Sequence, residues 1–149
     1  MINISFLNLR VIKENSGRYD VNKKIQSPED VFEVVQKVIK ASEYPEENLW
    51  MITLDTKNNI TGIFTVSTGS LNTSIVHPRE VFKRAMLQNA ASIIVCHNHP
   101  SGDSTPSTED INITKRLYEA GEILGIKLLD HIIAGDNSYT SLKEQGLIN

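Results

Sequence analysis

The chain has 149 residues, of which 40% are hydrophobic, and a formal net charge of −3, a composition typical of a soluble globular protein. No stretch approaches the roughly 18 apolar residues of a membrane span. The first ten residues lack the basic start and apolar core of a signal peptide, and a single cysteine excludes an internal disulfide. We therefore predict a cytoplasmic protein that does not enter a membrane, with one domain over residues 1–149.

The charge pattern gives little support to nucleic-acid binding. Phosphate recognition depends on clustered lysine and arginine, whereas the basic residues here are scattered along an acidic chain. A local basic face stays open as an alternative, and the sequence leaves the oligomeric state undecided.

The first predicted elements are an edge strand and a helix. Residues 2–13 alternate between apolar and polar side chains, which predicts a strand at the edge of a sheet. Ser27 before Pro28 is a strong helix start, because proline is well tolerated at the first helical position. The apolar face of that helix is formed by Val31, Val34, Val35, Val38 and Ile39.

Two strands and a second helix are predicted next. Apolar runs at 48–55 and 60–67 are joined by a turn at 57–59. The Ser-Thr-rich stretch 66–74 is predicted to be a loop or a strand edge. A helix over 78–90 follows, with Val81, Phe82, Ala85 and Met86 facing inward.

A third buried strand carries the first candidate metal ligands. The apolar residues 93–96 predict a strand that runs up to His97. Residues i and i+2 of a strand share a face, so His97 and His99 can point toward one ion. Pro100 disfavours a helical conformation at His99 and helps to keep it extended.

The last elements supply a carboxylate. Ser107 is the predicted N-cap of a helix whose apolar positions recur at helical spacing, and Asp110 in its first turn can face back toward the histidines. A strand at 126–133 and a turn at Asp136 and Asn137 complete the pattern. The apolar positions of the helix are Ile113, Leu117, Ala120 and Leu124.

Two imidazoles and one carboxylate with an open fourth position are typical of a catalytic zinc site. Structural zinc sites are usually closed by four protein ligands, mostly cysteine and histidine, and this chain has one cysteine. An open position admits a water molecule whose pKa falls to about 7. The residues therefore predict metal-assisted hydrolysis.

The spacing His-x-His-Pro, six residues, then Ser-x-x-Asp resembles the JAMM motif of the JAB/MPN metalloprotease family. Within that family the flanking sequence resembles the RadC branch. The resemblance covers roughly residues 26–146, and it rests on three segments that lie far apart and in the right order. These segments are His77 to Phe82, His97 to Gly102 and Asp130 to Ile133.

The resemblance implies an α/β fold, a mixed sheet flanked by helices that is similar in outline to cytidine deaminases. It implies one zinc ion per chain held by His97, His99 and Asp110. A catalytic glutamate is expected upstream, at the start of a strand. Glu47 is the candidate, and Glu46 remains an alternative because a shift of one residue reverses the side chain.

The implied reaction is hydrolysis of an amide or isopeptide bond in a peptide or protein conjugate. The glutamate would take a proton from the attacking water and pass it to the leaving amine, and Ser107 would help to hold the water or the oxyanion. Asn98 stands where peptidases that cleave ubiquitin-like conjugates usually have serine or threonine, so the substrate class is less defined than the metal.

Several alternatives stay open. Ser107 and Asp110 approximate a capping box that simply starts a helix. Cys96 is expected to be a core residue, and His131 to pack in the core or behind the ligands. A DNA-repair-associated or protein-binding module with a non-catalytic metal site is the main alternative function. A metal-dependent nuclease is another, and iron or manganese can replace zinc.

Two related classes fit less well. In HNH nucleases the three motif residues are dispersed over a longer element, and zinc deaminases need a second cysteine. Longer RadC proteins carry an N-terminal helix-hairpin-helix-like module, and the segment before residue 26 is too short to contain one.

Overall fold

The computed structural model describes residues 1–69 and 76–149. A mixed five-stranded sheet lies at its centre, in the order β2-β1-β3-β4-β5. Strands β3 and β4 are parallel, and the other neighbouring pairs are antiparallel. The strands are β1 (Asn48–Leu54), β2 (Ile60–Thr68), β3 (Ser92–Asn98), β4 (Lys127–Ala134) and β5 (Tyr139–Ser141).

Helices cover both faces of this sheet, which confirms the predicted fold class. Helix α1 (Pro28–Val34) continues into a π-helical turn at Val35–Ile39, and a 3₁₀ turn follows at Ala41–Glu43. Helices α2 (Pro78–Leu87) and α3 (Thr108–Leu124) pack on the opposite face. None of the helices in the described ranges is long and apolar enough to cross a membrane.

The parallel pairing of β3 with β4 positions the site. Parallel neighbours need a crossover connection, and α3 provides it. The carboxyl end of β3 therefore leads through a short loop to the amino end of α3. This connection brings together the two segments in which the sequence predicts metal ligands.

The central strands are buried at every position, as expected for strands covered on both faces. Along β3, Ile94 and Cys96 pack in the cluster beneath α1, whereas Ile93 and Val95 pack beneath α2 and α3. By the same alternation His97 points to the side of α3, and Cys96 points away from it.

The predicted strand at residues 2–13 is wrong. The structure assigns no strand to this segment, and its large apolar side chains are exposed. Alternation describes which faces a strand would present, but a strand exists only when its backbone groups have a partner. No such partner lies in the described part of the chain.

Smaller differences concern helix faces. Met86 is predicted to face inward and Leu124 belongs to the predicted apolar positions of α3, but both are exposed near the ends of their helices. Helix α2 also ends at Leu87, before the predicted limit of residue 90. Part of the predicted loop at 66–74 lies outside the described residues, while β2 extends to Thr68. Ser27 caps α1, and Pro28 is its first residue, as predicted.

Candidate metal centre

Three side chains converge at the carboxyl end of β3. His97 Nε2 lies 2.9 Å from His99 Nε2 and 3.2 Å from Asp110 Oδ1. His99 Nε2 lies 3.1 Å from Asp110 Oδ2. His97 and Asp110 are buried, and the His99 side chain is 12% exposed. Each residue thus offers one ligand atom to a common point.

Local structure explains this convergence. His97 belongs to β3, and the backbone N–H of His99 donates to the carbonyl of Ala134, which holds it beside β4. Ser107 and Asp110 form a capping box at the start of α3: Ser107 Oγ accepts from the Asp110 N–H at 3.0 Å. In return, Asp110 Oδ2 accepts from the Ser107 N–H at 2.8 Å. The cap therefore starts the helix and also fixes the carboxylate toward the histidines.

The hydrogen bond at Nδ1 determines which ring nitrogen of His99 carries the proton. His99 Nδ1 lies 2.7 Å from the carbonyl oxygen of Asp103, which can only accept, so Nδ1 must donate. A neutral imidazole carries one ring proton. In that form, the Nε2 atom of His99 presents a lone pair to the cluster.

A hydrogen-bond chain gives the same result for His97. Thr114 Oγ1 donates to the carbonyl of Asp110, so it accepts from His131 Nδ1 at 2.6 Å. His131 Nε2 must then accept from His97 Nδ1, 2.7 Å away. His97 Nε2 therefore also directs a lone pair at the cluster, and His131 lies directly behind this ligand candidate.

The electrostatics favour one positive charge in the cluster. Burial by itself raises the pKa of Asp110, but hydrogen bonding to His97 and His99 outweighs it and leaves that pKa well below the usual range. The bond to Asp110 raises the pKa of His99. Burial lowers the pKa of His97, and it lowers the pKa of His131 much further. A proton on His99 or a bound cation can supply the charge.

The donor set fits a divalent metal ion. When both imidazoles are neutral, the two Nε2 lone pairs and the carboxylate face one another with no proton between them. Because these groups repel one another, the arrangement needs a cation. Two nitrogens bound to one tetrahedral zinc ion at 2.0–2.1 Å lie about 3.3 Å apart, close to the observed 2.9 Å. The expectation of a possible metal site at these three residues is confirmed, while the identity of the ion stays a prediction.

An open cleft adjoins the cluster on the side of His99. Its volume is about 460 Å³, and it is bounded by residues 41–45, 98–102 and 134–136. Because His99 lines this cleft and is partly exposed, the cluster can be reached from solvent at one ligand.

Glu47 lies electrostatically close to the cluster. Its charge acts to raise the pKa of both His97 and His99, although burial of His97 and hydrogen bonding of His99 have larger effects on these pKa values. Glu46 is not among the main influences on the pKa of either histidine. This difference favours Glu47 over Glu46 as the acidic residue that faces the site, and its catalytic role stays a prediction.

Asn98 connects the metal strand to the loop that carries Glu47. Its Oδ1 accepts from the backbone N–H of Asn48 at 2.8 Å, and its Nδ2 donates to the carbonyl of Glu46 at 3.0 Å. These two bonds bracket Glu47 on both sides. The Glu47 carbonyl also accepts from the N–H of Gly69 at 2.7 Å. The backbone at Glu47 is thus fixed to β3 and to the residue that follows β2.

Replacing Asn98 with alanine is expected to destabilise the protein by about 1–3 kcal/mol, because the buried Asn48 N–H loses its acceptor. Urea denaturation of the metal-free protein measures this change. Asn112→Ala on the exposed face of α3 is the matched control, with an expected change within about 0.5 kcal/mol. Equal stability of the two variants would show that Asn98 does not hold this loop.

The structure also contains a site residue that sequence reasoning missed. Thr114 orients His131, and it follows Asp110 by one helical turn, so the i, i+4 spacing was the available signal. Cys96 faces the opposite side of the sheet and is buried in the cluster beneath α1, as predicted. Burial raises the pKa of its thiol, which makes it a poor nucleophile.

Comparisons with known proteins agree with this architecture. The family model described as RadC-like JAB domain matches residues 25–147. The chain is 57% identical over 125 residues to a UPF0758 protein of Clostridium beijerinckii, covering 84% of this chain and 54% of that protein. For a UPF0758 protein of Desulfitobacterium hafniense the identity is 51% over 124 residues, with 83% and 54% covered. The chain therefore spans about half the length of these curated relatives.

Proposed function

We propose that this chain, which belongs to the RadC-like JAB domain family, is a metal-dependent hydrolase of amide or isopeptide bonds. The observation that carries the proposal is the meeting of two imidazole lone pairs and a carboxylate beside an open cleft. Closed structural sites do not need such access. A hydrolase needs it for water and substrate.

His97, His99 and Asp110 would hold the ion, for which zinc is our first choice. A divalent ion in such a site lowers the pKa of bound water and polarises a carbonyl group. The buried His131 and Thr114 keep the ring of His97 oriented. Groups that orient ligands in this way typically change metal affinity by 10–100-fold.

Glu47 supplies the proton transfer in this proposal. Its carboxylate takes a proton from the attacking water and gives it to the nitrogen of the leaving amine, so that the C–N bond breaks and no net proton is lost. Asn98 supports this role by holding the backbone on both sides of Glu47. Ser107 Oγ accepts from Asp110 N–H, and its own proton can be donated to the developing oxyanion.

A peptide or protein conjugate is the proposed substrate. The cleft beside His99 has a volume of about 460 Å³, which lies within the usual range of ligand sites. The cleft is open, so an extended chain can enter it. The matched segment makes up about half of each relative, so the activity of those longer proteins is itself part of the proposal.

Hydrolysis in ¹⁸O-labelled water tests the proposal. We expect zinc-loaded protein to cleave members of a panel of α-linked and ε-linked lysine peptides, with one ¹⁸O in each new carboxylate by mass spectrometry. Asp110→Asn should abolish cleavage because the site loses its anionic ligand. Glu109→Gln, which changes the exposed neighbour of Asp110, should leave it intact.

The alternative is a protein-binding or DNA-repair-associated module whose metal site turns nothing over. Metal binding without cleavage across the panel would favour that alternative. Cleavage of DNA that is lost in Asp110→Asn would favour a nuclease.

A further inference from the structure

The first twelve residues form an unusual apolar arm. Side chains that are normally buried are open to solvent, for example Leu7 at 90% and Ile2 at 81% exposure. Lys37 Nζ reaches the carbonyl of Asp20, but no hydrogen bond in the described part of the chain joins residues 1–19 to the domain. The arm lies outside the residues that the family model matches, and the proposed hydrolase does not use it.

The segment that connects the arm to the domain is attached to the edge of the sheet. Lys24 forms an antiparallel bridge with Asn59, the residue just before β2. The Ile25 N–H donates to the Asn58 carbonyl, and the Ile60 N–H donates to the Lys23 carbonyl. The segment that follows the arm is thus joined to the sheet edge by the first step of a β-ladder.

Beyond that first step, the outer edge of β2 has no partner strand in the described part of the chain. β2 is nine residues long and lies at the end of the sheet, where it pairs with β1. An exposed edge of this length is a template for an added strand. Continuing the existing bridge in register would place residues 15–23 beside β2 and leave the apolar arm beyond its end.

The apolar pattern of the arm matches the surroundings of this edge. In an extended arm Ile2, Ile4 and Phe6 share one face, and Leu7, Leu9 and Val11 share the other. The apolar side of the arm thus changes from one face to the other between Phe6 and Leu7, so an added strand would bury side chains on both faces, as strands of a sheet covered on both sides do. β2 has such surroundings: Phe64 and Val66 pack toward α2 and α3, and Ile60 and Ile63 pack toward α1.

We propose that the arm of residues 1–12 adds as a strand to the β2 edge of a second copy of this chain. The second copy returns its own arm, and the reciprocal exchange closes a two-fold dimer. Twelve extended residues reach about 40 Å, and the nine residues of β2 span about 30 Å. In each copy, the chain leaves the domain beside the start of β2. When two copies place their β2 edges side by side, each arm therefore lies near the β2 edge of the other copy.

The oligomeric state of the full chain tests this inference. We expect a dimer by sedimentation or light scattering. The double variant Phe6→Lys with Leu9→Lys places a charge on each face of the arm and should weaken dimerisation by at least tenfold. Its thermal unfolding as a monomer should change little, since residues 1–12 are exposed and make no hydrogen bond to the domain in the described part of the chain. Asn3→Lys with Asn8→Lys adds the same charge at polar arm positions and should remain dimeric.

Cross-linking tests where the arm docks. Ser5→Cys in one chain and Thr65→Cys in another place thiols on the arm and on exposed β2, while the native Cys96 is buried. A bifunctional thiol reagent should join the two chains, whereas Ser5→Cys mixed with Lys115→Cys on α3 should give little product.

Three outcomes would overturn the inference. The first is a monomeric wild-type chain. This outcome covers a monomer whose arm cross-links to its own β2 and a monomer whose arm binds lipid vesicles. A dimer that is insensitive to the two lysines in the arm is the second. A dimer without the cross-link between arm and β2 is the third, since it would place the interface elsewhere.

Discussion

Replacing His99 with alanine is expected to reduce bound zinc from about one ion per chain to essentially none, because only two of the three protein ligands remain. His99 is also the ligand candidate on the solvent side, where its Nε2 directs a lone pair at the cluster. Water that enters the space left by the imidazole would hydrate the ion in place of the lost ligand and favour its release. Elemental analysis of tag-free protein, reconstituted with zinc near neutral pH and then desalted, measures the loss.

The matched control is His77→Ala. His77 precedes α2, and its side chain makes no capping hydrogen bond, so this variant should keep the zinc content and stability of the wild type. Equal zinc in all three proteins would place the metal elsewhere. A wild-type protein that holds no metal after reconstitution would remove the basis of the proposed hydrolase.

Glu47→Gln is expected to lower the turnover of any cleaved substrate by about 10²–10⁴-fold, the usual contribution of a general acid or base. Glutamine keeps the size and hydrogen-bonding shape of the side chain but cannot accept the proton from water. The capping box and the chain from His97 to Thr114 do not involve Glu47, so zinc content should change little. Turnover at saturating substrate, compared with zinc content on the same sample, separates lost chemistry from lost metal.

Glu46→Gln is the control, since it removes the same charge one residue earlier. Its turnover should stay within a few-fold of the wild type. Glu46 contacts Asn98 through its backbone carbonyl, which the substitution leaves in place. If Glu46→Gln were the inactive variant and Glu47→Gln the active one, the assignment of the base would be reversed.

The convergence of His97, His99 and Asp110 was predictable because each part of it follows from local rules. Alternation along a strand puts His97 and His99 on one face. The serine and aspartate of a capping box lie three residues apart, and their mutual hydrogen bonds position Asp110 as well as the helix start. A run of apolar residues before His97 is enough to predict the strand that carries it. These relations span a few residues, and they hold wherever the segment lies in the fold.

The surroundings of the ligands depended on tertiary structure. His131 is 34 residues from His97 in sequence, and only the parallel pairing of β3 with β4 brings the two rings into contact. Asn98 and Asn48, 50 residues apart, meet because β1 and β3 are neighbours. The choice between Glu46 and Glu47 depends on how that loop lies against β3, which no local pattern contains.

The N-terminal arm shows the same division. Alternating apolar residues at 2–13 determined that the segment suits a strand, but a strand also needs backbone partners supplied by another segment. In the described part of the chain the arm has no such partner, and a nine-residue edge at β2 lies where the segment after the arm joins the sheet. The sequence by itself thus determined side-chain faces, caps and the residues of the candidate metal cluster, because these are short-range properties. Pairing, burial and the partners of each ligand were decided by the tertiary structure, because they join residues that are distant along the chain.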